Sequence, residues 1–350
     1  MSRMKLWPAF SVAPMMDWTD RHCRVFLRLF SPRALLYSEM VTAAAVCRGD
    51  PVRLLAFSAE EEPVALQLGG SDPAELAAAA RAGEDHGYRE INLNCGCPSD
   101  RVSAGSFGAC LMQEPARVAD CVAAMRHAVR LPVTVKMRIG VVERRREEAG
   151  GMVAAMRRFD DDDMRHLQDF TAGILAAGCD GIIVHARKAV LGGLSPHENR
   201  TVPPLRFDVA RSLREAFPQV PFAVNGGLRD ASSVRAALAW CDSAMIGREA
   251  YHRPALLAEL QRACYPEDDW QPPTVDAVLE HMARYADGVR HHGQRLSNIT
   301  RHMLGLVTHT AGARDYRRLL TEGARDASAG RELLDAARRL LAGAPGAGNA

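Results

Sequence analysis

The sequence predicts an α/β fold, a (β/α)8 TIM barrel with a C-terminal all-helical domain. Eight short runs rich in β-branched and apolar residues alternate with helical stretches along most of the chain. Polar residues or glycines stand where each run ends, and the last part of the chain has helical periodicity without strand-like alternation. Strand and helix alternating eight times is typical of a closed parallel barrel rather than of a doubly wound sheet.

The predicted barrel strands are short, and turn or helix signals separate them. They are Phe10–Ala13, Ala34–Ser38, Val64–Leu68, Glu90–Leu93, Val133–Lys136, Gly181–Val184, Phe222–Val224 and Ala244–Ile246. The helices between them begin at or just after Pro, Asp or Ser, which are favoured at caps and in first turns. The clearest are Pro73–His86, Pro115–Val129, Asp163–Ala177, Asp208–Phe217 and Ala231–Trp240.

Each predicted strand carries polar or special backbone chemistry at its carboxyl end. In strand order the residues are Pro14–Asp17, Glu39, Gln67, Asn94 with Cys97, Lys136 with Arg138, His185 with Arg187, Asn225–Gly227, and Gly247 with Arg248. TIM barrels build their active sites from these ends. The pattern therefore predicts an enzyme whose site lies on this rim.

The predicted domains are a barrel over residues 1–266, a helical domain over 267–342 and a flexible tail over 343–350. A turn-rich run, Tyr265–Pro273, separates the first two. Residues 281–350 contain eleven Arg, no Lys and six acidic residues, although the whole chain has a net charge of only +2. Arg without Lys favours bidentate phosphate contacts, so these residues indicate either a polyanionic partner or a solvated helix face.

Composition excludes disordered, collagen-like and coiled-coil proteins. Hydrophobic residues make up 47% and charged residues 25% of the chain, as in globular enzymes, and no run of 18 apolar residues occurs. The nine cysteines include no C-x-x-C pair, which argues against a disulfide framework and a zinc site. We expect a cytoplasmic monomer with no membrane segment and no metal. The charged segment 141–163 is interpreted as a mobile solvated insertion or a lid over the site.

Glycines follow the seventh and eighth predicted strands, in Asn225-Gly226-Gly227 and in Gly247-Arg248. Loops after these strands are the frequent phosphate site of a TIM barrel, because glycine lets backbone N–H groups approach an anion closely. Arg248 adds a bidentate phosphate donor. The motif predicts a phosphate-bearing cofactor, with simple tight turns as the alternative, and no G-x-G-x-x-G opens a Rossmann helix.

The other strand ends favour a flavin as that cofactor. Lys136 and His185 offer positive charge and a hydrogen-bond donor, and Gln67 can both donate and accept. Such groups suit an isoalloxazine ring, whose N1/O2 edge gains negative charge on reduction. Lys136 could instead form a Schiff base or serve a structural role, and His185 could be a rim histidine with no contact to the cofactor.

A thiol stands on the turn after the fourth predicted strand. Gly96 and Pro98 stiffen the backbone around Cys97, which presents its thiol as a candidate general acid. Cys95, next to it, and Cys110, in a second glycine-rich turn, are competing candidates.

With these residues assembled, the chain resembles the tRNA-dihydrouridine synthases, flavin enzymes that reduce uridine in tRNA, and looks most like their bacterial A-type subfamily. The motifs that carry the resemblance extend along nearly the whole chain. They are Ser11–Arg21, Tyr37–Met40, Ala65–Leu68, Asn92–Arg101, Phe107–Met112, Val133–Lys136, His185–Ala189, Leu194–Arg200, Val224–Gly227, Gly247–Tyr251 and Ile299–Gly305. Cys95, where the family has an aliphatic residue, and the long 141–163 segment are departures.

The resemblance implies a role for each matching residue. It makes Cys97 the catalytic proton donor. It implies that FMN is bound by Pro14, Met15, Met16, Gln67, Lys136, His185, Asn225, Gly226, Gly227, Gly247 and Arg248. It implies tRNA contacts from Asn94, His197, Arg200, Arg314 and Arg317.

These roles predict the reaction. NADPH would reduce FMN, hydride would pass to C6 of a flipped uridine at D-loop positions 20 and 20a, and Cys97 would protonate C5. One alternative is an FMN barrel reductase acting on a free pyrimidine or another small activated alkene. The other is a non-catalytic RNA-binding module that retains the barrel.

Overall fold

The computed structural model describes residues 6–98, 107–143, 151–290, 293–308 and 310–343. The chain packs as two compact units. The first is built from Met1–Met16, Leu35–Ser58 and Glu62–Gly247, and the second from Asp17–Ala34, Ala59–Glu61 and Arg248–Ala350. The predicted tail lies outside the described residues except for Gly343, as do residues 99–101 of the cysteine motif and 144–150 of the charged segment.

The first unit contains a closed barrel of eight parallel strands, which confirms the predicted fold class. Each strand pairs with the next barrel strand along the chain, and the last pairs with the first. The barrel strands are β1 Phe10–Val12, β2 Leu35–Thr42, β3 Val64–Gly69, β4 Glu90–Cys95, β5 Val133–Arg138, β7 Gly181–His185, β9 Phe222–Asn225 and β10 Ser243–Ile246. Two further strands, β6 Val141–Glu143 and β8 Ala189–Leu191, form a separate parallel pair.

Helices cover the barrel strands and build most of the second unit. In chain order they are α1 Arg21–Arg28, α2 Ala43–Arg48, α3 Pro51–Leu54, α4 Pro73–Asp85, α5 Pro115–Ala128, α6 Gly151–Arg157, α7 Asp161–Ala176, α8 Phe207–Ala216, α9 Ala231–Leu238, α10 Arg248–His252, α11 Ala255–Cys264, α12 Val275–Arg290, α13 Leu296–Thr300, α14 Ala313–Gly323 and α15 Arg331–Ala342. None of the helices in the described part of the chain is long and apolar enough to span a membrane.

Caps explain where several barrel helices begin. The Asp72 and Asp230 side chains accept hydrogen bonds from the third residue of α4 and α9, which satisfies an otherwise unpaired backbone N–H. Asp160 and Asp163 form a capping box at α7. The acidic run 160–163 therefore begins a helix, where its negative charge is favoured by the helix dipole.

Strand β2 is longer than the sequence predicts. Its register against β3 shifts between Tyr37 and Met40, and the strand then continues to Thr42. The Ser38 hydroxyl accepts from the Gln67 N–H and donates to the Glu39 carbonyl, so it fills the gap in the ladder. Glu39 thus lies inside the strand, and its prediction as a strand-end residue was wrong because a bulge carries the pairing past it.

The barrel interior is apolar on one layer and polar on another. Trp7, Tyr37, Ile183 and Met245 belong to one buried cluster, together with smaller residues of the neighbouring strands. Strand β4 places Glu90, Asn92 and Asn94 at alternate positions, all at most 8% exposed. Side chains two apart on a strand share a face, so these three form a polar stripe inside the barrel.

The second unit is held together by buried polar contacts as well as helix packing. The Arg24 guanidinium donates to Glu61 Oε2 at 2.7 and 2.8 Å, and both side chains are buried. Arg28 donates to the Glu61 carbonyl and to the carbonyls of Ser31 and Ala34, which fixes the turn after α1. Removing one partner of the buried Arg24–Glu61 pair would leave an uncompensated charge, a cost of about 3–5 kcal/mol.

Asp20 forms a second polar centre of the second unit. It caps α1 by accepting from the Cys23 N–H and pairs with Arg301 and His302. Burial alone would raise the pKa of Asp20, but the bonds from His302, Cys23 and Arg301 hold it well below its usual range. The start of α1 is therefore tied to the residues that follow α13.

Candidate active site

The carboxyl ends of the barrel strands bring five of the predicted site residues to one rim. The strand register pairs Asn94 with Lys136, Arg138 with His185, and His185 with Asn225. Gln67 lies on β3, next to β4, and donates to Asn92 Oδ1 at 2.8 Å. Gln67, Asn94, His185 and Asn225 are buried, whereas Lys136 is half-buried.

The turn that presents Cys97 is fixed from three sides. The backbone N–H groups of Gly96 and Cys97 both donate to Asn94 Oδ1 at 3.0 Å. Arg138 Nε donates to the Gly96 carbonyl at 3.0 Å, and the Ala109 N–H donates to the Cys97 carbonyl at 2.9 Å. Cys97 itself remains partly accessible, so its thiol can reach a reactant while its backbone is held.

The two competing thiols have different surroundings. Cys95 is fully buried at the end of β4, on the opposite face of the strand from Asn94, and burial raises its pKa well above the usual value. Cys110 is partly buried in the 3-10 helix Gly108–Gln113, where burial also raises its pKa and its sulfur contacts the Phe107 carbonyl. Cys95 is therefore less accessible than Cys97, whereas Cys110 is partly accessible as Cys97 is but lies in a helix rather than on the turn at the end of β4.

Positive charge is concentrated beside this turn. Burial and the neighbouring Arg138 lower the pKa of Lys136 to about 7, although the nearby Cys97 favours the protonated amine. Burial lowers the pKa of Arg138 to about 9, with Arg200 and Arg187 acting in the same direction. Burial and the surrounding cations lower the pKa of His185 well below its usual value, so the imidazole is neutral at neutral pH.

Arg138 also connects the cysteine turn to the loop after β8. Its Nη1 donates to the Asn199 carbonyl at 3.0 Å, while its Nε holds Gly96. The Asn199 side chain in turn bridges the Val190 N–H and carbonyl. This loop carries His197 and Arg200, two of the predicted tRNA contacts, and both are exposed.

The predicted phosphate loops have the backbone that the sequence demands. Gly226 has φ +106° and Gly227 has φ +68°, in the left-handed region that favours glycine. A Cβ at Gly226 would lie 2.6 Å from the His185 ring, so only glycine allows this approach. A Cβ at Gly247 would meet nothing within 4 Å, which leaves space beside that backbone. Asn225 Nδ2 donates to the Met245 carbonyl and joins β9 to β10.

The remaining predicted residues lie on the rim or in the second unit. Pro14 and Met15 are half-buried and Met16 is 54% exposed, directly after β1. Arg248 begins α10, and Arg314 and Arg317 are exposed on α14, so these three belong to the second unit. Within the described ranges no cluster of His, Cys, Asp and Glu has the arrangement of a metal site.

Sequence reasoning missed a set of buried polar residues that contact this site. Glu90, Asn92 and Thr134 form hydrogen bonds with one another and, through Gln67, with Asn94. The available signal was the alternation of Glu90, Asn92 and Asn94 in an otherwise apolar strand, which indicates an inward polar face.

Comparison with known proteins gives consistent matches. Residues 11–341 match the family model described as dihydrouridine synthase. A protein of Xanthomonas campestris named tRNA-dihydrouridine(20/20a) synthase is 50% identical over 341 residues, covering 95% of this chain and 96% of that protein. Proteins of the same name from Synechocystis sp. and Escherichia coli K12 are each 48% identical, covering 93% and 95% of this chain and 92% and 91% of theirs.

Among solved structures, the chain is similar to a 2-naphthoyl-CoA reductase in complex with 2-naphthoyl-CoA. The TM-score is 0.53 at 11% identity, and the match covers 77% of this chain and 51% of that one. At this identity the similarity concerns the fold alone.

Proposed function

The chain belongs to the dihydrouridine synthase family, and from that premise we propose that it reduces uridine to 5,6-dihydrouridine at positions 20 and 20a of the tRNA D-loop. The proposed cofactor is FMN and the proposed reductant is NADPH. The observation that carries the proposal is the rim of the barrel, where a turn presents Cys97 beside Lys136. The curated relatives that carry the tRNA-dihydrouridine(20/20a) synthase name match over more than nine tenths of this chain.

The residues present fit a flavin mononucleotide. Lys136 is a desolvated amine whose charged form burial disfavours, and among the described residues no hydrogen-bond acceptor for its Nζ is found. An electron-rich ring edge would supply the missing partner and restore the charge. The open space beside Gly247 and the glycine backbone at 226–227 fit a phosphate.

We assign the cofactor contacts to residues on both sides of the rim. Lys136 would face the part of the ring that becomes negative, and Gln67 and the neutral His185 would supply hydrogen bonds. Pro14, Met15 and Met16 would contact the edge of the ring. The phosphate would lie against Asn225, Gly226, Gly227, Gly247 and Arg248. When bound, the reduced flavin supplies a hydride.

Cys97 supplies the proton that the reaction needs. The C5=C6 bond of uracil is conjugated to the C4 carbonyl, so reduction at C6 leaves an enolate that must be protonated at C5. A thiol can donate its proton to that carbon as a general acid. The turn donates hydrogen bonds to Asn94 Oδ1 and accepts one from Arg138 Nε, and these bonds position the thiol before the base arrives.

The tRNA contacts would come from exposed cations and from Asn94, which is buried and whose amide groups bond Gln67, Met40 and the cysteine turn, so that apolar contact with the base is what it has left. His197 and Arg200 lie on the loop held by Asn199, and Arg314 and Arg317 lie on one exposed part of α14. We assign the helical domain, residues 267–342, to tRNA binding. Since one chain supplies every residue named here, we propose a monomer, acting in the cytoplasm, where tRNA is available.

The test uses purified protein, NADPH and an unmodified tRNA transcript. Digestion and mass spectrometry should find two added hydrogens on each of uridines 20 and 20a. The purified protein should be yellow. Equal activity on free uridine or uracil would instead favour the alternative function, a barrel reductase of free pyrimidines. A colourless protein that binds tRNA without modifying it would contradict both.

A further inference from the structure

A continuous series of buried hydrogen bonds runs inside the barrel from the start of β4 to the cysteine turn. We name its side chains, Glu90, Thr134, Asn92, Gln67 and Asn94, the amide relay. Thr134 Oγ1 donates to Glu90 Oε1, and Asn92 Nδ2 donates to Thr134 Oγ1 at 2.8 Å. Gln67 Nε2 donates to Asn92 Oδ1 at 2.8 Å, and Asn94 Nδ2 donates to Gln67 Oε1 at 2.9 Å.

Both ends of the relay have a fixed hydrogen-bonding character. At one end, Glu90 takes bonds from Trp7 Nε1 and the Tyr37 hydroxyl at 2.6 Å as well as from Thr134, and in its ionised form it can only accept. At the other end, the backbone N–H groups of Gly96 and Cys97 can only donate, and both point at Asn94 Oδ1.

These two ends determine the direction of every bond between them. Because Thr134 must donate to Glu90, its oxygen is left to accept from Asn92, so the Asn92 amide nitrogen faces Thr134 and its oxygen faces Gln67. The same reasoning directs the Gln67 oxygen to Asn94. None of the three amides can flip without placing two donors or two acceptors in contact, a cost of about 1–3 kcal/mol for each buried unsatisfied group.

The direction has a consequence at the rim. One Nε2 hydrogen of Gln67 bonds Asn92 and its oxygen bonds Asn94, so the donor that Gln67 has left for a ligand is its second Nε2 hydrogen. Asn94 has no such hydrogen left, since its oxygen accepts from the cysteine turn and its Nδ2 group bonds Gln67 and Met40 Sδ. The relay bonds on both sides of Gln67 thus set which donor its side chain presents at the rim.

We propose that Glu90, Thr134 and Asn92 are positioning residues, which act through the direction of the amide relay to make Gln67 a donor to the cofactor and to hold the Cys97 turn. The proposal rests on the proposed function and deepens it. Unrelated buried polar groups would each find a hydrogen-bond partner too, but their bonds would not all run in one direction. The bonds of the relay do so, from the N–H groups of the cysteine turn to the Glu90 carboxylate. Burial raises the pKa of Glu90 to about 7, and the bonds from Thr134, Tyr37 and Trp7 oppose that rise.

The first test replaces Thr134 with valine, which keeps the shape of the side chain and removes the link between Glu90 and Asn92. In the flavin-loaded enzyme, pre-reduced and mixed with saturating tRNA transcript, the single-turnover rate should fall about tenfold or more, as for misplaced reacting groups. The tRNA concentration for half-saturation should stay within about twofold. Thr134→Ser keeps the hydroxyl and should restore most of the rate.

Thr171→Val is the matched control, because it removes another fully buried threonine hydroxyl. That hydroxyl donates only within α7, to the Leu167 carbonyl. Thr171→Val should keep the wild-type rate. Equal rates for Thr134→Val and Thr171→Val would overturn the proposal, as would a Thr134→Val effect confined to tRNA affinity.

A second variant, Asn92→Leu, breaks the relay at its next member and applies even if Thr134→Val fails to fold. It should also slow the single turnover about tenfold. Because the members act in series, the double variant should be no slower than the slower single variant, whereas multiplied effects would contradict the relay.

Flavin binding to the apoprotein separates this proposal from the proposed function. Titration followed by flavin fluorescence should give weaker binding for Thr134→Val and Asn92→Leu and wild-type binding for Thr171→Val. If the wild type reduced no uridine, the proposed function would fail, and this titration alone would decide the relay. Unchanged flavin affinity and flavin absorption spectrum in both relay variants would overturn it.

Discussion

Replacing Lys136 with methionine should stabilise the cofactor-free protein while weakening its binding of an anionic cofactor. The amine is desolvated in the barrel mouth beside the Arg138 cation, and its pKa falls from 10.5 to about 7. Such a fall corresponds to at most about 5 kcal/mol against the charged form in the folded state. Part of the side chain reaches water, which screens the charge, so we expect about 2–3 kcal/mol.

The direction in which the unfolding free energy changes with pH follows from the protons that the folded and unfolded states bind. Between pH 7 and 10.5 the unfolded lysine holds a proton that the folded one has lost, so the wild-type unfolding free energy rises with pH through this window. Below pH 7 the full penalty is present. Lys136→Met removes it, so the variant should be more stable than the wild type at pH 6.5, and the difference should shrink as the pH rises to 9.5.

Urea unfolding of the apoproteins at pH 6.5, 8 and 9.5 measures this difference. Lys188→Met is the matched control, since Lys188 Nζ pairs with Asp163 at 2.8 Å and its loss should destabilise the protein. Added FMN should stabilise the wild type more than Lys136→Met. A variant that is no more stable than the wild type at pH 6.5 would refute the reasoning.

Four other variants test separate parts of the structure. Glu90→Gln should flatten the pH dependence of the unfolding free energy between pH 4.5 and 7, as measured by urea unfolding. In this range folded wild-type Glu90 holds a proton that the unfolded chain has lost, so the wild-type unfolding free energy falls by about 3 kcal/mol as the pH rises. Gly226→Ala should weaken FMN binding at least tenfold in a fluorescence titration, because its Cβ would lie 2.6 Å from His185 at a positive φ. Arg314→Ala and Arg317→Ala should each lower the slope of log affinity for tRNA against log salt by about 1 and leave NADPH oxidation unchanged; an unaltered slope would contradict a phosphate contact.

The barrel could be predicted because its signals are local. Each strand and the helix after it carry their own pattern and caps, as Asp72 before α4 and Asp230 before α9 illustrate. The β6–β8 pair could not be predicted, because Val141–Glu143 and Ala189–Leu191 are short loop segments distant in sequence. The continuation of β2 past Glu39 depends on a bulge against β3, which periodicity does not reveal.

Part of the candidate site could likewise be predicted from the sequence, and part could not. Rim residues such as Gln67, Lys136 and His185 could be placed together because parallel strands end at one edge. The hydrogen bonds that orient them could not be predicted from the sequence. They join residues of neighbouring strands, such as Glu90 and Thr134, and the sequence around a polar strand residue does not show which residue it bonds. The buried Arg24–Glu61 pair of the second unit is a further example.

The proton donor is the central claim, and one variant tests it most directly. Reduced, flavin-loaded Cys97→Ala should be oxidised by tRNA about 10² to 10⁴ times more slowly than the wild type, while its reduction by NADPH proceeds at the wild-type rate. Cys110→Ala is the matched control and should react with tRNA as the wild type does. If Cys97→Ala converts uridine to dihydrouridine at the wild-type rate, the assignment of Cys97 as the acid is contradicted.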